Sequence, residues 1–277
     1  MAVQALRDGA FLMAKWVLIV ISKLFLSMVI FFPICVVMAS AFSQGWTVFA
    51  NALLDTETVS ALGLSLKSVG IAVLLNGIFG VSAAWYLTRY RIVGKRFWIS
   101  LIELPFSISP VISGMLLILS FGSHSFLGQF LETWGVKVMF TPLAVMMATL
   151  FVTLPFMARE VMTLMQVQGT EEEIAAYLLG AKGWQIFLKV TLPNILPAVL
   201  VGAVLTAARA LGEFGAVSVV SGHIRGLTTT LPLHIEILYN DYAFSAAFAV
   251  SSVLIALSIF SLMIRYGVQH WVYKKGR

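Results

Sequence analysis

The sequence predicts an all-α integral membrane protein with about six transmembrane helices, and three observations predict it. Apolar residues fill 60% of the 277 positions, charged residues only 11%, and the mean hydropathy is +0.97. A soluble domain carries about 25% charged residues, so a globule of this composition would leave too much apolar surface in water. Six separate runs approach the length of a membrane span, and Lys and Arg gather in alternate loops between them. Together these exclude an ordinary soluble enzyme, a disordered chain and a nucleic-acid binder, despite the net charge of +6.

A span needs about 20 mostly apolar residues, because the hydrocarbon is roughly 30 Å thick and a helix rises about 1.5 Å per residue. The runs are Lys23 to Phe42, Ser68 to Leu87, Trp98 to Ser120, Pro142 to Met162, Pro197 to Val220 and Phe244 to Arg265. The apolar stretch Phe11 to Ile21, within an N-terminal segment 1–22, is expected to lie along or enter the interface. The first apolar stretch exceeds the core of a cleavable signal, about 7–15 residues, and is therefore read as a retained span. Cys35, the one cysteine, lies in an apolar run and reads as a small hydrophobe rather than a thiolate ligand. The spans form a six-helix transmembrane domain over 23–265, followed by a tail over 266–277 whose Trp271 to Arg277 is expected to anchor the last helix.

With the N-terminus inside, 14 Lys and Arg fall on the cytoplasmic side, and only Lys67, Lys137 and Arg225 fall outside. Both termini are therefore expected in the cytoplasm. Arg209 is left within a span. Prolines punctuate the third run at Leu104-Pro105 and Ser109-Pro110 and the fourth at Leu154-Pro155, where each removes a backbone hydrogen bond and is expected to bend its helix. Carbonyls freed in lipid must be satisfied by neighbours or water, so such bends suit a protein-facing or cavity-facing position.

Between the fourth and fifth runs, Gln166 to Leu196 (166–196) reads as a long cytoplasmic loop with its own helical pattern. Thr170 is placed to cap a helix whose first turn, Glu171-Glu172-Glu173, sets carboxylates at the positive helix end. Ala175, Ala176, Leu178 and Leu179 continue that helix, and Gly180 and Gly183 permit a turn. A second short amphipathic helix, carrying Trp184, Phe187, Leu188 and Val190, is expected to run up to Leu192-Pro193. Two short helices about a glycine make a knob suited to a groove on a partner.

The spacing Ala175-Ala176-x3-Gly180-x9-Val190-x-Leu192-Pro193 resembles the EAA loop of bacterial ABC importer permeases. The resemblance implies a MetI-like type I ABC importer permease fold, multi-pass in the bacterial plasma (inner) membrane. It also implies that Glu173, Ala175, Ala176, Gly180, Ala181, Gly183, Val190, Leu192 and Pro193 couple this chain to an ABC ATPase dimer. The family's leading glutamate falls at Ile174, so either Glu173 takes over its role from a neighbouring angle or docking relies on packing. The sequence contains no G-x-x-x-x-G-K-[ST] phosphate loop. The chain is thus expected to be non-catalytic and to bind no cofactor, with ATP and Mg used by the partner ATPase.

The stretch from Arg209-Ala210-Leu211-Gly212-Glu213-Phe214-Gly215 to Gly222-His223-Ile224-Arg225-Gly226, with Leu231-Pro232-Leu233, is narrower. It resembles the sulfate/thiosulfate (CysW-type) permeases, with molybdate and tungstate permeases as close relatives. This implies a second, CysT-type permease subunit and a periplasmic or extracytoplasmic sulfate/thiosulfate-binding protein as partners, besides the lipid bilayer. Arg209 and Glu213 lie four residues apart and can pair, either attracting a dianion or locking the fifth helix. Ser107, Ser109 and Ser113 either line a polar path near the prolines or pack helices, and backbone N–H groups after Pro110 favour an anion if the helix breaks there. Glu103 would repel sulfate and reads as an intersubunit or helix-end partner. The segment Gly222 to Gly226 is either a contact for the binding protein or gate, or a solvated loop. The four histidines, His124, His223, His234 and His270, show no metal-ligand spacing. A stand-alone ion-coupled anion transporter using Glu213 is the rival reading, and an intramembrane protease built on Glu171 to Glu173 ranks last.

Overall fold

The computed structural model describes the backbone of residues 2–275 and the side chains of residues 15–270. The expected anchoring by Trp271 to Arg277 lies outside the described side chains. Helix α1, Ala2–Ala41, is followed by α2, Trp46–Leu54, and α3, Thr56–Arg89. Asp55 starts α3 by accepting from the Glu57 and Thr58 backbone N–H groups at 3.0 and 3.4 Å. Next come α4, Lys95–Ser107; α5, Pro110–Phe121; α6, Phe126–Thr133; and α7, Pro142–Gln168. The knob holds α8, Glu171–Leu178, and α9, Gly183–Ile186, which passes through a π-helical segment, Phe187–Thr191, into α10, Leu192–Leu211. Helices α11, Gly215–Val220, α12, Leu231–Asn240, and α13, Phe244–Lys275, complete the chain.

Among the described residues, five stretches are long and apolar enough to cross a membrane, and the bent α4–α5 pair makes a sixth when counted as one span. The first candidate span, Lys15–Ala41, begins earlier than the expected run at Lys23, and Phe11 to Ile21 is continuous with it in one helix. Nothing between Lys15 and Lys23 breaks a helix, and a lysine stem reaches along apolar surface while its ammonium stays polar. The third run is not a single straight helix, because α4 and α5 meet at 112°. Pro110 explains the break: it occupies the first turn of α5 and forces Ser109 into extended backbone, φ −57° and ψ 137°. Pro105 and Pro155, by contrast, stay inside continuous helices.

The fifth run also departs from expectation. Gly212, Glu213 and Phe214 interrupt it, and α11 starts afresh. The expected second knob helix is likewise not separate, since Gly183–Leu211 is one continuous helical stretch. Pro193 has no N–H to give to the turn before it, and the wider π hydrogen bonding just upstream accommodates this: Leu192 N–H reaches the Phe187 carbonyl five residues back.

Helices α3, α7 and α10 form the central trio, with α13 against α10 and α1 against α13. Met157 of α7 lies between two glycines of its neighbours. A Cβ on Gly80 of α3 would fall 2.9 Å from Met157 Cγ, and one on Gly202 of α10 would fall 2.9 Å from Met157 Sδ. Small residues here let the backbones approach, the packing that holds helices together where lipid removes the hydrophobic drive. Gly80→Leu is therefore expected to cost about 1–3 kcal/mol by overpacking, read as a lower Tm of the detergent-solubilised protein. Buried Val81, Leu87, Val161, Met162, Met165 and Ile195 fill the core at the knob end. Val145, Ala148, Val152, Val217, Val220 and Leu233 fill it at the far end.

Candidate functional site

The knob ends α8 as glycine chemistry requires. Gly180 has φ +87°, its N–H donates to the Tyr177 carbonyl at 2.9 Å, and Ala181 N–H donates to the Ala176 carbonyl at 3.1 Å. That pair of bonds is a Schellman motif. Thr170 precedes α8 but its side chain caps nothing, contrary to expectation; with φ −128° and ψ 6° it lacks the extended backbone of a capping residue. Ile174, Tyr177 and Leu178 share one face of α8 and are exposed, as are Leu179, Trp184 and Leu188 around the turn. Ala175, Gly183 and Pro193 are exposed, while Ala176, Ala181, Val190 and Leu192 are half-buried.

Glu173 points the other way. Its Oε2 lies 2.7 Å from Arg89 Nε, and its Oε1 accepts from the Thr191 hydroxyl at 2.8 Å. Arg89 Nη1 also donates to the Met165 carbonyl at 3.1 Å. Asn194 ties the same corner, donating from Nδ2 to Glu172 and accepting from Gln168 Nε2 at 3.0 Å. Of the sequence alternatives for the missing glutamate, the structure therefore turns Glu173 inward and leaves the Ile174 position apolar and outward.

A second site forms where two helix breaks meet. A Cβ on Gly215, at the start of α11, would sit 3.0 Å from Pro110 Cβ at the start of α5. In the break, Glu213 is 1% exposed; its Oε1 accepts from the Ala216 N–H at 2.9 Å, and its Oε2 lies 2.8 Å from Arg209 Nη1. Glu213 thus caps α11 and pairs with Arg209, whose side chain is one-third exposed at 33%. The pair was expected along one helix; the structure instead places Arg209 in the last turn of α10 and Glu213 just past its end. Ser107 and Ser109 are exposed on either side of the α4–α5 bend, whereas Ser113 is buried and donates to the Ser109 carbonyl at 3.3 Å. Glu103 faces Arg159 of α7 at 4.0 Å.

The far end carries charges that the sequence reading left unpaired. Arg225 donates to Asp241 at 2.6 Å and lies 3.8 Å from Glu57, so the segment Gly222 to Gly226 is tied to the ends of both α12 and α3. The hydrogen bond and charge of Asp241 hold the Arg225 guanidinium above its ordinary value. His223, at φ +55°, lies 3.6 Å from Glu236. In α12, the His234 Nε2 and the Thr58 hydroxyl share a buried hydrogen bond of 2.9 Å. Burial pushes His234 below the usual histidine value, although Glu57 and Asp55 oppose the shift. Glu57, Glu236 and Asp241 were not assigned partners from sequence.

Residues 76–272 match the sequence profile of the family described as binding-protein-dependent transport system inner membrane component. The chain is 43% identical to the sulfate transport system permease protein CysW of Synechocystis sp., over 91% of each chain. It is 42% identical to the protein of that name from Escherichia coli (strain K12), over 92% of this chain and 88% of the other. It is also 34% identical to the sulfate transport system permease protein CysT of Escherichia coli (strain K12), over 87% of each. Among solved structures, a bacterial ABC transporter involved in the import of the acidic polysaccharide alginate superposes with a TM-score of 0.75. That match covers 97% of this chain and 99% of the other at 17% identity, a likeness of fold.

Proposed function

We propose, from the premise that the chain belongs to the binding-protein-dependent transport system inner membrane component family, that it forms one half of the membrane pathway of a sulfate importer. It is a multi-pass transport permease with a MetI-like fold; sulfate or thiosulfate as cargo is the finer reading. The observation that carries it is the level of identity, 42–44% over about nine-tenths of the chain, to proteins named sulfate permeases. A second permease subunit is the natural partner, because the chain is similar both to CysW and, less so, to CysT proteins. A soluble binding protein outside the bacterial inner membrane delivers the anion, and an ABC ATPase dimer on the cytoplasmic side supplies the work.

In this reading the apolar face of Ile174, Tyr177 and Leu178 seats in the ATPase, with Trp184 and Leu188 beside it. ATP-driven closure moves the knob, and the helices joined to it reorient the pathway between its two open states. The non-helical backbone of the adjoining breaks at Ser109-Pro110 and Gly212-Glu213 suits a position beside the pathway between subunits. Buried Glu213 holds the Arg209 rotamer, and the exposed face of Arg209 offers positive charge to a passing dianion, with Ser107 and Ser109 nearby as polar lining. The segment around Arg225 meets the binding protein.

The test is to co-express the chain with an ATPase, a second permease and a binding protein, and to measure uptake into proteoliposomes. Sulfate uptake should require ATP and all components, and thiosulfate should compete while molybdate and tungstate do not. Competition by molybdate or tungstate at equal concentration would reassign the cargo. Uptake by this chain alone, driven by an ion gradient, would overturn the importer reading.

A further inference from the structure

Arg89 stands where α3, α7, α8 and the π-helical segment come together. Its guanidinium joins Glu173 at 2.7 Å and the Met165 carbonyl at 3.1 Å, and Glu173 also holds Thr191 at 2.8 Å. Both charged side chains are mostly enclosed, at 11% and 17% exposure. The surroundings, however, are not tightly packed. A cleft of about 410 Å³, lined by Trp85, Tyr90, Ile174, Tyr177 and Gly183 among others, separates α8 from the end of α3 on one side of the pair. A smaller cavity of about 150 Å³, lined by Gln168, Gly169, Glu172 and Asn194, lies on the other side. Arg89 and Glu173 line both. The ion pair is thus a strut between two open spaces: α8 reaches α3 through it, while the π-helical segment that follows meets α3 where Phe187 packs edge-on against Trp85 at 5.1 Å.

We propose that the Arg89–Glu173–Thr191 strut is the element that transmits knob movement to the membrane helices, and that Glu173 is a positioning residue rather than a contact of the ATPase. The inference rests on the coupling role proposed for the knob. Its geometry follows from helix periodicity: consecutive residues point about 100° apart, so Glu173 turns toward Arg89 while Ile174 turns outward. A charge pair whose two ends are each pinned by a hydrogen bond, Arg89 to the Met165 carbonyl and Glu173 to the Thr191 hydroxyl, keeps its place where apolar contacts slide, and its ends sit on elements that have to move together. Glu172 and Asn194 tie α8 to the start of α10 in the same corner, but neither reaches α3.

The experiment uses the complete complex of permeases, ATPase and binding protein, and reads three quantities: ATPase retained on purification, ATP hydrolysed, and sulfate imported. Glu173→Gln and Arg89→Gln are expected to retain the ATPase while the ATP spent per sulfate imported rises at least tenfold. Arg89→Lys, which keeps the charge but loses the second donor to Met165, should fall between these variants and wild type. The exchange Arg89→Glu with Glu173→Arg should regain several-fold of the uptake lost in Arg89→Glu alone. Loss of the ATPase from Glu173→Gln, not regained in the exchange, would make Glu173 a docking residue and overturn the proposal. So would an unchanged ratio of ATP to sulfate. If these charge variants fail to fold, Thr191→Val removes only the hydroxyl donor and should raise the ratio about threefold; no change there equally overturns the proposal. A wild-type complex that imports without ATP fails the importer reading itself, which separates that failure from the failure of the strut.

Discussion

Arg209→Met is expected to destabilise the protein by about 3 kcal/mol, the low end of the cost of breaking a buried charge pair, because Arg209 itself is one-third exposed. Glu213 is 1% exposed, and without Arg209 its second oxygen has no cation, while the first remains bound to the Ala216 N–H. The measurable result is a steep fall in Tm and in the yield of assembled complex. Adding Glu213→Gln should recover most of both, because the amide oxygen still caps α11 and no bare charge remains in the break. Uptake then distinguishes the two roles of Arg209. A reassembled double variant that imports at least tenfold more slowly identifies Arg209 as an attractor of the anion; normal import would leave the pair as a helix lock alone.

Gly180→Val is expected to lower ATPase retention and uptake about tenfold or more. Among the described residues, no atom lies within 4 Å of a Cβ built on Gly180, so the loss does not come from a clash. It comes from φ +87°, a conformation that costs an L-residue about 1–2 kcal/mol and a β-branched one more. Relaxing that residue breaks the Schellman bonds to Tyr177 and Ala176 and swings α9 away from α8. A change of about 1.4 kcal/mol is tenfold in binding, which fits the predicted loss. Gly180→Asn, tolerant of the left-handed region, should keep most ATPase binding. Equal loss in the asparagine and valine variants would show instead that position 180 sits against the ATPase and rejects any side chain.

Much of the bundle was legible because its signals are local. The runs inside α3, α7 and α13 were found as apolar stretches of spanning length, and each lies within a continuous helix. The knob turn was legible from Gly180, since the left-handed backbone there is a property of one residue and its immediate neighbours. The breaks were harder to read. Ser109-Pro110 was expected to bend a helix and instead separates two helices by 112°. Gly212 to Phe214 gave no warning, because the event that starts α11 is a glutamate capping it, and glutamate is not a typical capping residue. The π-helical segment hid for a similar reason: its apolar pattern looks like that of an ordinary helix, and only the hydrogen bonds differ.

The class of protein, its apolar runs and the place of its knob follow from composition, run length and a glycine turn, all settled by residues within a few turns of one another. Which charges meet depends on how the helices pack. Arg89 and Glu173 are far apart in the chain, as are Arg225 and Glu57, and no spacing rule links such pairs. Whether Glu173 faces a partner or the protein's own interior depends on where α3 ends in space, and that is fixed by the packing of α3 against α7 and α10. The physical reason is one of range: helix propensity and burial act along the chain, whereas ion pairing in a low-dielectric bundle acts between whichever helix ends the fold brings together.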